Sequence, residues 1–176
     1  GEADGVFNSS DYILFFGQGP DKVSFDEIRQ VFRYEKNRYA KENYYFVTIS
    51  DTPGKRISTS ENLAGNFPVV QEFDNYQYHE IDQFNILKSG QEWFGERFEL
   101  TTDQTIRFNL SSIIDNTPVK VFSDVMAQSF SNTSFNVLLN NVQIGQHAIG
   151  AIPNALYGVK GRHAADTFLT SSATVA

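Results

Sequence analysis

The chain has 176 residues, of which 40% are hydrophobic and 20% are charged, and its formal net charge is -7. This composition is typical of a folded globular protein and excludes a wholly disordered one. The acidic balance argues against a nucleic-acid-binding protein, which needs a basic surface to meet phosphates, and against direct attachment to an anionic membrane. There is no cysteine, which excludes disulfides, thiolate metal sites and a cysteine nucleophile within these residues.

The aromatic content favours β structure. The sequence holds 16 Phe and 8 Tyr, two residue types that are enriched in strands. It contains neither a signal peptide nor an apolar run long enough to cross a membrane. We therefore expect a β-rich globular protein.

The first strong local signal is an uninterrupted apolar run over residues 12–16, followed by Gly17, Gly19 and Pro20. Such a run predicts a strand covered on both faces. The glycines can take positive φ and the proline cannot extend a ladder, so a tight structural turn should follow, with positive φ at one glycine or both. A phosphate-binding loop is not indicated, because the spacing of its glycines and lysine is missing.

The segments that follow give mixed signals up to residue 100. Residues 24–27 have the form of a helix capping box, whereas residues 30–34 are typical of a strand, and the two interpretations compete. Residues 43–49 predict a strand, because β-formers are followed by a turn sequence at 51–54. The apolar spacing within 81–87 suits one or two helical turns.

The second half of the sequence predicts strands more clearly. The two asparagines Asn140 and Asn141 tolerate left-handed backbone and predict the turn of a β-hairpin. Residues 145–162 are rich in glycine and predict an irregular connection. Alternation of apolar residues predicts strands at 105–110, 119–129, 135–139, 142–144 and 167–170.

These elements add up to eight to ten short strands without βαβ alternation. The best architecture is all-β, an antiparallel β-sandwich that is jelly-roll-like, with at most one or two short helices. We expect one domain over residues 1–176, and we expect it to be an excerpt of a longer chain.

Few residues indicate a catalytic or metal-binding site. The histidines His79, His147 and His163 lack metal-ligand spacing and are more typical of surface or supporting positions, so neither a metal nor a cofactor is expected. Several carboxylates between residues 74 and 99 indicate a solvated acidic edge more than a calcium site. The absence of a G-x-S-x-G sequence leaves a hydrolytic serine triad unsupported.

The adjacent pair Trp93 and Phe94 lies between Gly90 and Gly95 and is the most notable aromatic motif. One interpretation is a binding platform that stacks on a sugar ring or a peptide. The other is a corner of the core, where flanking glycines let a bulky pair turn inward. Core is favoured, because tryptophan usually buries most of its surface.

Several motifs resemble one protein family in the same order. Residues 11–22, DYILFFGQGPDK, are similar to a signature near the start of type IX secretion system sortases, the PorU-like proteins. Residues 43–46 (NYYF) and 54–57 (GKRI) resemble two further elements of that family, and His79-Glu80 with residues 85–96 (NILKSGQEWFGE) resembles another. Three positions depart from the family pattern: Phe16, Ile86 and Gln91.

The resemblance implies a place within a larger protein. These sortases carry a β-rich amino-terminal region before a gingipain-type cysteine peptidase domain. They cleave a carboxy-terminal sorting signal at the outer-membrane surface and attach the cargo to lipopolysaccharide. Their Cys-His pair belongs to the peptidase domain and cannot be carried over to this chain, which has no cysteine.

We therefore expect a non-catalytic accessory or docking domain of a cell-surface sortase-like peptidase. The implied partners are the downstream peptidase domain of the same chain, secretion-system components or cargo, with membrane association only through other parts of the parent protein. The implied location is beyond the inner membrane, in the periplasm or at the outer-membrane surface. The alternative is a carbohydrate-binding β-sandwich module, and a weaker third is a pro-segment that shields the peptidase cleft.

Overall fold

The computed structural model describes residue 6 and residues 8–52, 58, 60–86, 88, 90 and 92–171. These residues form six strands and no helix, and every strand pair is antiparallel, which confirms the predicted all-β antiparallel class. Within the described ranges, no helix is long and apolar enough to cross a membrane. The chain divides into two compact units, Gly1–Tyr78 and His79–Ala176.

Strands β1 (Lys22–Asp26) and β2 (Val31–Glu35) form a hairpin in the first unit. The competition between helix and strand is thus resolved in favour of strands. The capping-box interpretation of residues 24–27 is wrong, because Asp26 closes the hairpin turn instead. Its Oδ1 accepts hydrogen bonds from the backbone N–H groups of Ile28 and Arg29, at 3.2 and 3.0 Å.

One face of this hairpin carries a small aromatic cluster. Phe25 lies opposite Phe32, with ring centroids 4.9 Å apart. Tyr76 packs on Phe32 at 5.4 Å, and Tyr78 stacks on Tyr34 at 3.6 Å. These contacts bury aromatic surface that a lone hairpin would leave in water, which explains why two short strands are stable here.

The Tyr34 hydroxyl anchors the same cluster. It donates a hydrogen bond to Asp21 Oδ2 at 2.5 Å, while Asp21 Oδ1 accepts from Asn37 N–H at 2.8 Å. These two bonds lower the pKa of the Asp21 carboxyl. Desolvation and the neighbouring Asp21 carboxylate raise the pKa of Tyr34.

Two predicted strands of the first unit are not formed. Neither residues 11–16 nor residues 43–49 pair as strands in the described part of the chain. Their side chains meet, with the rings of Phe15 and Tyr45 5.7 Å apart, but no backbone ladder joins them. A β-forming sequence needs a strand partner at hydrogen-bonding distance, and local propensity does not provide one.

The second unit contains two antiparallel sheets of two strands each, and only one of them is a hairpin of consecutive strands. In the first, β3 (Pro118–Ala127) pairs with β6 (Arg162–Ser171); in the second, β4 (Thr133–Leu139) pairs with β5 (Val142–Ile149). The hairpin turn at Asn140 and Asn141 is confirmed, since φ is 46° and 66° at these residues.

The boundaries of these strands differ from the prediction in places. Strand β5 runs on to Ile149 and β6 begins at Arg162, so the irregular connection covers only 150–161. Residues 105–110 form no strand. The described residues of 81–87 are not helical, because the backbone of Phe84 forms an isolated antiparallel bridge with Phe94. Residues distant in the sequence determine the backbone conformation of these segments.

The two sheets of this unit meet through their inward faces. A Cβ built on Gly145 of β5 would lie 2.0 Å from Cδ1 of Phe168 on β6, so the ring occupies the space that a side chain would need. The buried apolar residues of the described part are Ala127, Ile149 and Ile152. This packing brings two antiparallel layers into contact, while a complete sandwich or jelly roll stays a prediction.

Candidate functional site

The loop at Gly17, Gly19 and Pro20 is shaped differently from the prediction. Neither glycine has positive φ; among the described glycines only Gly65 and Gly90 do. The prediction of a tight turn with positive φ at one or both glycines is therefore wrong. The reason is that residues 12–16 form no strand, so the chain does not have to leave a ladder abruptly.

What fixes this loop is the neighbouring segment. The Tyr45 hydroxyl donates to the carbonyl oxygen of Gln18 at 2.8 Å, and Asn43 Nδ2 donates to the same oxygen at 2.9 Å. Two sequence motifs, residues 11–22 and 43–46, are thus brought side by side by side-chain-to-backbone bonds. Sequence reasoning could not find this contact, because no ladder or periodicity encodes it.

An exposed apolar surface covers these two segments. We define it as Ile13, Phe15, Phe16, Phe46 and Val47, which are 55–90% exposed. A groove of ≈ 400 Å³ lies on it, lined by four of these residues with Tyr45 and Thr48. Soluble monomers rarely leave so many neighbouring apolar side chains in water, so this surface is a candidate interaction site.

The side chains of Trp93 and Phe94 lie in different environments. Trp93 is 39% exposed and is not a core residue, which corrects the core interpretation for this side chain. Phe94 is half-buried, and its ring lies 5.4 Å from the His163 ring. The backbone bridge to Phe84, with N–O distances of 2.8 and 2.9 Å, turns successive side chains to opposite sides.

The local structure requires glycine at each of the two flanking positions for a different reason. Gly90 has φ of 76°, where residues with a side chain are strained. A Cβ on Gly95 would lie 3.0 Å from the carbonyl oxygen of Ile81. Both glycines are therefore needed to shape this segment and are not, by themselves, signs of a ligand contact.

Each histidine contacts one carboxylate. His79 Nε2 lies 2.5 Å from Glu96 Oε1, and His163 Nδ1 lies 3.0 Å from Asp124 Oδ1. The structure brings no group of three or more potential metal ligands together among the residues it describes.

The third histidine forms a cluster that sequence reasoning missed. His147 Nε2 lies 3.0 Å from Ser123 Oγ, and His147 Nδ1 lies 3.2 Å from Asp166 Oδ2. Ser123 and Asp166 are directly opposite each other in the β3–β6 ladder. The signal is invisible in the sequence until the register of that ladder is known. We call Ser123, His147 and Asp166 the polar triplet.

The polar triplet has the Ser–His–Asp sequence of hydrogen bonds that a serine hydrolase triad has. The exposure of its histidine and its carboxylate is the reverse of that in such a triad. In such a triad the carboxylate is buried, whereas the serine and the histidine face the substrate. Here the Asp166 side chain is 60% exposed and that of His147 is 0% exposed. Ser123 is half-buried. Because the His147 imidazole is closed to solvent, it could not exchange a proton with a substrate, so the triplet does not have the geometry of a nucleophilic triad.

Comparison with protein-family models, curated proteins and solved structures gave no match. The geometry and the sequence motifs therefore carry the functional argument.

Proposed function

We propose that this chain is a non-catalytic amino-terminal docking domain of a sortase-like cysteine peptidase of the type IX secretion system, and that its apolar surface binds the peptidase domain of the same protein. The resemblance of residues 11–22, 43–46 and 85–96 to the PorU-like family supports this context. In that context the domain acts at the outer-membrane surface or in the periplasm.

The observation that carries the proposal is the apolar surface itself. Phe16 is 86% exposed and Phe46 is 90% exposed, and both lie within the motifs that resemble the family. Burying one such side chain in an interface contributes about 1.5–3 kcal/mol. A binding role explains both why these residues are apolar and why they remain exposed in the separate domain.

The absence of a nucleophile supports a non-catalytic role. The sequence has no cysteine for peptidase chemistry, and the one Ser-His-Asp cluster of the described residues has a buried histidine. Recognition and positioning are then what this domain contributes to the sortase reaction.

The proposal is tested by titrating the peptidase domain of a PorU-like sortase with this chain in a calorimeter. We expect the Phe16→Ser/Phe46→Ser variant to bind at least about tenfold more weakly than the wild type. Phe130→Ser is the matched control, because Phe130 is also exposed, at 68%, but lies in the second unit. No binding by the wild type, or equal binding by all three proteins, contradicts the proposal.

A second candidate function rests on Trp93. This residue is 39% exposed, so part of the indole is accessible for stacking on a sugar ring. A carbohydrate-binding module would bind lipopolysaccharide or its glycan, and Trp93→Ala would abolish that binding without affecting the peptidase titration. The docking function is favoured, because the apolar surface is much larger than one exposed ring.

A further inference from the structure

The polar triplet joins two separate sheets at their contact. His147 is on β5, whereas Ser123 and Asp166 are on β3 and β6. Both ring nitrogens therefore lie against atoms of the opposite sheet, at 3.0 and 3.2 Å. The ring also lies edge-on to Phe168, at 5.2 Å between centroids.

Only one alignment of the two sheets lets both ring nitrogens of His147 form their hydrogen bonds. Side chains alternate between the two faces of a strand, so a shift of β5 by one residue would turn His147 away from β3–β6. A shift by two residues would place it at the level of Val121 and Phe168 or of Val125 and Ala164, which offer no side-chain hydrogen-bond partner. Two buried ring nitrogens would then be left unsatisfied, which is strongly unfavourable.

Apart from the Phe168 ring over Gly145, apolar packing specifies this alignment weakly. The buried apolar residues of the described part are few, and they are small or aliphatic: Ala127, Ile149 and Ile152. Aliphatic contacts are not directional, whereas each hydrogen bond of the imidazole requires a particular atom at a particular distance. Buried polar groups fix register in this way in coiled coils.

We infer that the polar triplet is an alignment device: His147, held by Ser123 and Asp166, fixes the register in which the β4–β5 hairpin packs on the β3–β6 sheet. This assignment is independent of the proposed docking function, because the apolar surface belongs to the first unit and the triplet to the second.

The test compares His147→Leu with His163→Leu in the 176-residue chain. His163 is the matched control, because it also contacts an aspartate of this unit but its side chain is 44% exposed. For His147→Leu we expect strand content by far-ultraviolet circular dichroism to persist, with more than one set of NMR signals for β4 and β5. Amide exchange in β5 should be about tenfold faster or more. His163→Leu should give one set of signals, as the wild type does.

A second pair of variants decides the question if His147→Leu does not fold. Asp166→Ala removes one acceptor from a largely exposed position, whereas Asp166→Asn keeps an oxygen acceptor there. We expect several sets of signals for Asp166→Ala and one set for Asp166→Asn. A single ordered set of signals with Phe168 still on Gly145 overturns the inference, whether it is found for His147→Leu or, where that variant does not fold, for Asp166→Ala.

A fluorophosphonate probe provides an independent check. Because His147 is buried, the wild-type chain should form no adduct at Ser123 after prolonged incubation. An adduct at Ser123 that is absent from Ser123→Ala would show an activated nucleophile and overturn the alignment role as the function of the triplet.

Discussion

Single residues shape the contact between the two sheets of the second unit, and Gly145 is one of them. The Phe168 ring fills the space that a β-carbon would occupy there. We expect Gly145→Ala to lower the free energy of unfolding by about 1–3 kcal/mol, as for other overpacked sites. The measurement is chemical denaturation.

The matched control for this prediction is Gly150→Ala. A Cβ there would meet nothing within 4 Å, so stability should change by less than about 0.5 kcal/mol. Combining Gly145→Ala with Phe168→Leu should cost less than the sum of the two single changes, because the smaller side chain relieves the clash. Strict additivity would show that the two residues do not meet.

The two members of the Trp93-Phe94 pair should differ in their contributions to stability. Trp93 is 39% exposed, so Trp93→Ala should cost about 1–2 kcal/mol and not the 3–5 kcal/mol typical of a core aromatic. Phe94 is half-buried against His163, and Phe94→Ala should cost more, about 2–4 kcal/mol. Thermal melts of both variants check the order, and a larger loss for Trp93→Ala would show that this ring is core after all.

Asp26 makes the β1–β2 hairpin sensitive to acid. Backbone and side-chain hydrogen bonds from Arg29, aided by Arg33, lower the pKa of this carboxyl from 3.8 to about 2. Because the folded pKa is lower than the unfolded one, the stabilisation is present above pH 3.8 and is lost as the pH falls through about 2.

We expect the amide signals of β1 and β2 in Asp26→Asn to lose part of the pH dependence that the wild type shows in this window. The measurement is an NMR pH titration of the hairpin. Glu27→Gln is the control, because the bonds from Arg29 and Arg33 go to Asp26. A titration curve for Asp26→Asn that superimposes on the wild-type curve would refute the assignment.

At the scale of elements, the turn between β4 and β5 depends on left-handed backbone. Asn141 has φ of 66°, which a β-branched residue adopts only with strain. Asn141→Val should therefore cost about 1–2 kcal/mol, whereas Asn141→Gly should be neutral or stabilising. Ser134→Val, at an exposed strand position, is the control in the same thermal melts. Equal melting temperatures for Asn141→Val and the wild type would contradict this account of the turn.

Sequence patterns predicted elements well where the information is local. Alternating apolar residues predicted a strand over 119–129, and the structure confirms it as Pro118–Ala127. Those in 135–139, with the two asparagines that follow, predicted a hairpin that the structure also confirms. Residues 11–16 and 43–49 have equally strong β propensity but form no strands, because strand formation also requires a partner. Propensity indicates what a segment can form, and pairing decides whether it forms.

The same dependence on residues distant in the sequence explains why features of the candidate sites could not be predicted. The exposed Trp93 and the unstrained Gly17 could not be predicted, since burial and φ follow from neighbours distant in the sequence. The polar triplet needs three residues from three strands, and its members are visible only through the ladder register. The resemblance to PorU-like sortases comes from ordered motifs and says nothing about which surfaces remain exposed.

At the scale of the whole molecule, the proposed docking function makes this chain a binding partner of the peptidase domain. Its exposed aromatic residues in 12–16 and 44–49 would be buried against the peptidase domain in the parent protein. A prediction for the separate chain is that it neither cleaves nor transfers peptides with sorting signals, because it has no cysteine nucleophile. Turnover that follows this chain through repurification would contradict that prediction.

The most direct test of the docking function is hydrogen–deuterium exchange of the chain with and without the peptidase domain of a PorU-like sortase. Docking should slow amide exchange in residues 12–16 and 44–49, and leave β4 and β5 unchanged. Protection confined to the segment around Trp93, or no protection anywhere at saturating peptidase domain, would contradict the proposed docking surface.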